Sequence, residues 1–225
     1  MTKTTHITMM MAALALPLSA ATTWTGGGDG SSFFAEANWT DDGGTPATGP
    51  IDPGTALAVD DYFISSTSLT NIGALVLGDI ATSLTLNASS IGTASINGTN
   101  GAGALILTNG SLYNTQFAGA NLTVDIDGTS ALTLRGGNDP LPNGASVDLA
   151  AGGVINFLAE SVGDATSEHL GKITVGGQAA EIGVNVTLVS DGGSGSILTA
   201  TAVPEPSAAA LLGLGGMAMI LRRRK

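Results

Sequence analysis

The sequence predicts an all-β fold, a right-handed parallel β-helix in which short strands coil into a solenoid. Apolar and polar residues alternate over stretches of three to five residues, which indicates strands with one buried face. Glycine or an Asn-Gly pair follows most stretches, and both accept the backbone of a tight corner. Aromatic residues are rare after Phe63, and small aliphatic side chains suit a narrow solenoid interior. A β-sandwich is the main alternative, with a closed barrel after it.

Residues 1–21 have the layout of a secretory signal peptide. Lys3 gives a positive start, Ile7–Leu18 is an apolar core, and Ser19-Ala20-Ala21 supplies small residues for cleavage. The apolar run is interrupted by Pro17 and is too short for a permanent membrane span. The sequence therefore predicts a helical leader that signal peptidase removes after Ala20 or Ala21.

Residues 22–64 are irregular and aromatic, and we expect them to cap the solenoid. They hold six of the nine aromatic residues in the chain. A solenoid needs a cap because its terminal turn would otherwise expose apolar core. A second interpretation makes Trp24 and Trp39 exposed rings that stack on a sugar ligand. The Trp24-Thr25-Gly26 and Asn38-Trp39 segments resemble the opening of many secreted autotransporter-like repeat proteins.

Residues 65–202 form the predicted solenoid body. Leu84 and Leu105 begin comparable stretches about one turn of a parallel β-helix apart. Helical periodicity is weak throughout, and Ser161–Leu170 is expected to make one or two turns at most. The predicted strands are Leu75–Leu77, Leu84–Leu86, Leu105–Leu107, Leu122–Val124, Leu132–Leu134, Val147–Leu149, Ile173–Val175 and Val184–Leu188.

The charge of the chain is distributed unevenly. All 18 acidic residues lie between Thr22 and Pro206, where Arg135 and Lys172 are the only basic residues. Such an acidic body repels the phosphate backbone, so the sequence predicts no nucleic-acid partner. The absence of cysteine excludes disulfides and thiolate metal sites.

Side chains suited to catalysis are sparse in the predicted body. His169 is the one histidine after the leader, and without a G-x-S-x-G turn we expect a polar loop residue rather than a triad member. Arg135 and Lys172 are the bases available to a lyase, and neither stands in a recognisable motif. Asp125 and Asp127 alternate along one strand and are weak candidates for binding Ca²⁺. The sequence otherwise predicts no metal, no cofactor and no enzymatic activity.

The end of the chain, residues 203–225, has three parts in a fixed order. Two prolines first stop any helix or central strand. An uncharged apolar run of 15 residues follows, and four basic residues then favour the cytoplasmic side of a membrane. The parts are the motif Val203, Pro204, Glu205 and Pro206, the run Ser207–Leu221, and the basic end Arg222, Arg223, Arg224 and Lys225.

This tail resembles the PEP-CTERM sorting signal of bacterial exported proteins. The resemblance implies transient anchoring by a single apolar helix and cleavage by exosortase, a membrane protease. A retained membrane anchor is the alternative, although the run is shorter than the roughly 20 residues that cross a bilayer. Three glycines, Gly213, Gly215 and Gly216, also weaken it as a helix. The expected location is the cell surface or the extracellular space.

These observations predict an exported, non-enzymatic surface or matrix protein, and the resemblance implies exopolysaccharide as its surroundings. The alternative is a carbohydrate-binding or polysaccharide-lyase-type β-helix. The two differ in structure. An enzyme gathers three or more charged groups in one groove, whereas a structural protein has ladders of Asn, Thr and Ser with scattered acids.

Overall fold

The computed structural model describes residues 21–41, 56–57, 61–77, 82–98, 103–137 and 139–202 of the 225-residue chain. Within these ranges the fold is all-β, a solenoid of about five turns. Residues 1–20 of the predicted leader and the whole predicted tail, 203–225, lie outside them. No helix in the described ranges is long and apolar enough to cross a membrane.

The strands are short and follow one another closely along the described chain. In order they are β1 (Ala21–Trp24), β2 (Trp39–Thr40), β3 (Ala56–Leu57), β4 (Asp61–Ser65), β5 (Ser68–Leu77), β6 (Ser83–Asn87), β7 (Ser90–Gly98), β8 (Gly103–Thr108), β9 (Leu112–Thr115), β10 (Phe117–Ala118), β11 (Leu122–Ile126), β12 (Ala131–Leu134), β13 (Ser146–Leu149), β14 (Val154–Phe157), β15 (Ile173–Val175), β16 (Gln178–Ala179), β17 (Val186–Ser190) and β18 (Ser196–Ala200). The helical segments are a 3-10 turn at Glu36–Asn38, an α-helical turn at Val162–Asp164, a π-helical turn at Ala165–His169 and a 3-10 turn at Leu170–Lys172.

These strands form two sheets. The first has the order β16-β15-β13-β11-β8-β6-β4-β1-β2, and the second has the order β17-β18-β14-β12-β9-β7-β5-β3, with β10 beside β7. Neighbours are parallel from β15 to β1 in the first sheet and from β14 to β3 in the second. The parallel solenoid is confirmed and the sandwich is wrong, because sandwich sheets pair their strands antiparallel. The right-handed sense of the coil stays a prediction.

Inward side chains stack in columns from turn to turn. Leu84 pairs in register with Leu105, as their spacing predicts, and both are buried. Each turn therefore buries its apolar face against the next while the backbone pairs, which is how a repeat stack is stabilised. One column of the first sheet is Ile64, Leu86, Leu107, Ile126 and Leu149, and one of the second is Ile91, Tyr113, Leu132 and Ile155.

A ladder of hydroxyl groups lines one corner of the solenoid. The backbone N–H of Thr67 donates to Ser89 Oγ at 3.2 Å, and that of Ser89 donates to Ser111 Oγ at 3.2 Å. The N–H of Ser111 in turn donates to Ser130 Oγ at 3.0 Å. Each hydroxyl helps to satisfy a backbone amide at the bend, where strand pairing is interrupted. Asn109 occupies the same corner with φ at 55°, a conformation that asparagine tolerates.

Antiparallel strands end the first sheet on both sides and the second sheet on one. β2 pairs with β1, β16 pairs with β15, and the β17–β18 hairpin pairs with β14. Between β14 and β15, helical turns occupy residues 162–172, which is slightly more helix than the one or two turns predicted for Ser161–Leu170.

Candidate functional site

The aromatic residues near the start of the described chain form one buried cluster. Trp39 is 0% and Trp24 is 8% exposed, and their rings meet edge to face with centroids 5.2 Å apart. Phe33 and Tyr62 lie 5.1 and 5.6 Å from the Trp39 ring. The indole Nε1 of Trp39 also donates to the Phe33 carbonyl at 2.6 Å. This cluster packs on the first turn as a cap would. The prediction that the two tryptophans stack on a ligand is wrong, because burial leaves their faces inaccessible.

A buried asparagine organises the glycine-rich turn around this cluster. Asn38 Oδ1 accepts from the N–H groups of Gly28 at 2.9 Å and Gly30 at 3.1 Å. Its Nδ2 donates to Asp29 Oδ1 at 2.8 Å and to the Ser32 carbonyl at 3.0 Å. Hydrogen bonds from Ser32, Ser31 and Asn38 lower the pKa of Asp29 well below its ordinary value. The glycine-rich backbone therefore wraps around the side-chain amide of Asn38, and the polar groups of this turn are hydrogen-bonded to one another.

Two adjoining cavities form an open groove beside the cap, which we call the side groove. Their volumes are about 460 and 410 Å³, and Thr70, Ile72 and Gly73 line both. Among the lining residues Arg135 is the single charged one, and its guanidinium donates to the Thr93 carbonyl at 2.7 Å. The other lining residues are Ser31, Ser32, Phe33, Phe34, Gly92, Thr93, Ala94, Asn114 and Gln116. The side groove thus offers hydroxyls, amides and one cation.

Three aspartates share a shallow depression of about 280 Å³ on the first sheet, namely Asp125, Asp127 and Asp148. Asp125 lies in register beside Asp148 on the next turn, and partial burial and the Asp148 charge together raise its pKa. Asp148 Oδ1 accepts from Thr174 Oγ1 at 2.5 Å and from the Gly177 N–H at 2.9 Å. The acidic residue that pairs with Asp125 is therefore Asp148 on the neighbouring strand β13.

Asp127 is held by its own turn. Its carboxylate accepts from the Asn109 N–H at 2.6 Å and from both the N–H and the hydroxyl of Thr129 at 2.9 Å. Partial burial raises its pKa, but these bonds and one from Ser130 outweigh that effect and lower the pKa to about 2. Most of its lone pairs are used within the protein. Calcium binding by Asp125 and Asp127 stays a prediction.

His169 is fully buried, so the prediction of a polar loop residue is wrong. It ends the π-helical turn, and its ring stacks on Phe157 with centroids 5.1 Å apart and planes inclined by 7°. Its Nδ1 lies 3.6 Å from Asp139 Oδ1, yet neither ring nitrogen has a hydrogen-bond partner in the described residues. Burial and then the Lys172 charge lower its pKa, against the opposing charges of Asp139 and Glu168 and a weaker interaction with the Leu141 backbone. The imidazole is therefore neutral at neutral pH.

The remaining candidates for catalysis have structural contacts. Lys172 Nζ donates to Asp139 Oδ1 at 2.9 Å and to the Leu141 carbonyl. Arg135 is tied to Thr93 as described above. No serine hydroxyl in the described ranges is hydrogen-bonded to His169, so the geometry of a catalytic triad is not formed there.

The sequence pattern did not indicate a role for two acidic residues, Glu160 and Asp148. Glu160 is buried just after β14, and one of its carboxylate oxygens lies within 4.8 Å of ligand atoms of Glu168 and His169. Nothing in the irregular stretch after Phe157 indicates this convergence. Asp148 could have been found, because it follows Asp125 by about one turn of the solenoid.

The comparison with known proteins concerns the end of the chain. A family profile described as the PEP-CTERM protein-sorting motif matches residues 202–225, which lie almost wholly beyond the described residues. No curated protein and no solved structure matches the chain. The motif marks secreted surface proteins that exosortase, a membrane protease, processes after export and transient membrane anchoring. The chain therefore ends in a PEP-CTERM sorting motif, and its described part is a parallel β-solenoid.

Proposed function

We propose that this protein is a non-enzymatic component of the cell surface or extracellular matrix. In this proposal the leader directs export, exosortase cleaves near Pro204–Pro206, and the solenoid body stays outside the cell among exopolysaccharide. The observation that carries the proposal is the sorting motif, which begins only a few residues after β18. The last described strand ends at Ala200, and the matched segment begins at Ala202.

The character of the body supports a structural role. The hydroxyl ladder of Ser89, Ser111 and Ser130 is the feature expected of a passive solenoid. A second ladder runs along the surface, where Asn109 Nδ2 donates to Asn87 Oδ1 at 2.6 Å. These residues are engaged with one another rather than presented to a substrate. Polar ladders of this kind rigidify a repeat stack.

The side groove supports association with exopolysaccharide. Its hydroxyl and amide groups match the hydrogen-bonding capacity of sugars, and Arg135 could pair with a carboxylate on an acidic polysaccharide. We expect the protein to sediment with host exopolysaccharide and Arg135→Gln to sediment less. Asp164→Asn, a change at an exposed residue that does not line the groove, should behave like the wild type. If the wild type and both variants sediment equally, or if none of them sediments with the polysaccharide, the side groove has no part in the association.

Processing is tested by the intact mass of the protein recovered from its host. We expect a mass that lacks the leader and residues after the Pro204–Pro206 region. Replacing Glu205 and Pro206 by alanine should leave residues 207–225 attached, whereas Glu181→Ala in the body should be processed normally. A wild-type mass that retains residues 207–225 would make the tail a permanent anchor and overturn this part of the proposal.

One observation favours the alternative of a carbohydrate-active protein. Asp125 and Asp148 stand side by side with unlike environments, and the raised pKa of Asp125 would suit a general acid. The test is incubation of purified protein with host exopolysaccharide, followed by measurement of new reducing ends or unsaturated products. If the wild type forms product and Asp125→Asn does not, the carbohydrate-active alternative replaces the non-enzymatic proposal. If the wild type forms no product, the non-enzymatic proposal is supported.

A further inference from the structure

We propose that Glu160, Glu168 and His169 bind a divalent first-row transition-metal ion where the chain passes from β14 to β15. One nitrogen and two carboxylate oxygens, one from each residue, lie within 4.8 Å of one another. This set is independent of the sorting motif, the side groove and the aspartate depression. It is also distinct from the weak calcium candidates, which offer oxygen ligands alone.

The buried imidazole is the observation that calls for a ligand. His169 is 0% exposed, and neither ring nitrogen makes a hydrogen bond of ordinary geometry within the described residues, although the Leu141 backbone lies near enough to raise its pKa slightly. A buried polar atom without a partner is costly, so such groups are rare without a reason. Phe157 covers one face of the ring, so the edge that carries the nitrogens is where a partner can be added. A metal ion beside that edge would satisfy one nitrogen.

The distances are compatible with coordination after a small adjustment. Zinc lies about 2.0–2.2 Å from nitrogen and carboxylate ligands, so ligand atoms in a tetrahedral site are about 3.4 Å apart. The observed separations of up to 4.8 Å must therefore close by up to about 1.4 Å. His169 and Glu160 are buried, whereas Glu168 is exposed on the helical surface. Glu168 is thus the side chain that can move to close the site.

The surrounding charges favour a cation at this position. The carboxylate of Glu168 lies near the neutral imidazole and exerts a charge effect on it that favours a cation. The nearby ammonium of Lys172 opposes a second cation, but it is paired with Asp139 at 2.9 Å. Asp139 also lies 3.6 Å from His169 Nδ1, close enough to orient the ring.

The ligand atoms restrict which metal ions the site would bind. An imidazole nitrogen with two carboxylate oxygens suits Zn²⁺, Mn²⁺ or Co²⁺, whereas Ca²⁺ and Mg²⁺ prefer oxygen alone. Three protein ligands leave a coordination position for water. Because Glu160 follows β14 and Glu168 lies on the π-helical turn, the ion would fasten that turn to the last parallel strands. Turns of this type are common at functional sites.

The test uses the protein recovered from its host, stripped with a chelator and titrated with Zn²⁺. We expect one equivalent bound by the wild type and at least tenfold weaker binding by Glu168→Gln. Glu36→Gln is the matched control, since Glu36 is also an exposed glutamate on a short helical turn. Co²⁺ should give visible absorption bands with the wild type and with Glu36→Gln but not with Glu168→Gln.

Glu168 is exposed, so its variant should fold and the test stays decisive. Circular dichroism of each protein before titration establishes that the fold is intact. Folded wild-type protein that takes up no Zn²⁺ would overturn the proposal. Equal affinity of the wild type and Glu168→Gln would overturn it as well, because the uptake would then come from elsewhere in the chain.

Discussion

The hydroxyl oxygens of Thr93 and Tyr113 lie 3.1 Å apart inside the solenoid, on neighbouring turns. Both residues are buried, and burial raises the pKa of Tyr113 above its ordinary value, against the smaller opposing effect of the Thr93 hydrogen bond. The phenol therefore stays neutral. This polar pair is thus enclosed among largely aliphatic columns, where the two hydroxyls are hydrogen-bonded to each other.

Removing both hydroxyls of this pair should destabilise the protein by less than the sum of the two single removals. We expect Tyr113→Phe or Thr93→Val alone to lower the free energy of unfolding by about 1–3 kcal/mol, because each leaves a buried hydroxyl without a partner. The double variant should lose less than the sum of the two. Urea unfolding of all four proteins measures the coupling, and strictly additive losses would contradict it.

Gly128 should not tolerate a side chain. A Cβ at this position would lie 2.2 Å from the carbonyl oxygen of Ala151, which belongs to the neighbouring turn. We expect Gly128→Ala to lower the free energy of unfolding by about 1–3 kcal/mol, since the two turns must separate. Gly73→Ala is the control, because nothing lies within 4 Å of its added Cβ. Equal melting temperatures of the two variants would refute the close approach.

Trp39 should be a major source of stability at the first turn. Its complete burial among three aromatic neighbours means that Trp39→Ala leaves a large cavity. We expect a loss of about 3–5 kcal/mol in the free energy of unfolding. Val189→Ala, at a side chain that is half exposed, should change it by less than about 0.5 kcal/mol. A neutral Trp39→Ala would mean that the cluster is not packed as described.

Asp127 should contribute to the acid sensitivity of the fold. Folding lowers its pKa from 3.8 to about 2, so its stabilising effect is complete above pH 4 and is lost as the pH falls through 2. We expect Asp127→Asn to unfold at lower urea than the wild type at pH 6. The two midpoints should converge between pH 4 and pH 2. A constant difference across this range would show that the carboxylate charge is not responsible.

Much of the fold could be predicted because strand pattern and turn spacing are local properties of the sequence. Seven of the eight predicted strands lie inside observed ones, and Leu84 and Leu105 pair as their spacing required. The last, Val184–Leu188, begins too early, because Val184 and Asn185 belong to the turn before β17. Strands such as β7 and β9 were missed, since serine, glycine and asparagine dilute their alternation.

The sites were harder to predict because they depend on which turn meets which. Tryptophan composition alone could not separate an exposed ring from a buried one, and Trp39 is buried by Phe33 and Tyr62 from different segments. His169 resembled a polar loop residue because the burial of its ring comes from Phe157 on β14. The pairing of Asp125 with Asp148 could have been predicted from sequence spacing, because the two residues are one solenoid turn apart.

The position of β18 determines how the protein would respond to mechanical pull. It lies between β14 and β17 and is antiparallel to both. Only Thr201 and Ala202 separate its end from the motif that begins at Val203. Drag on a body tethered through this end would pass directly into β18 and act along the strand. Its hydrogen bonds to both neighbours would then be loaded in shear and would have to break together, so a tether at this end would pull on a strand that resists extraction.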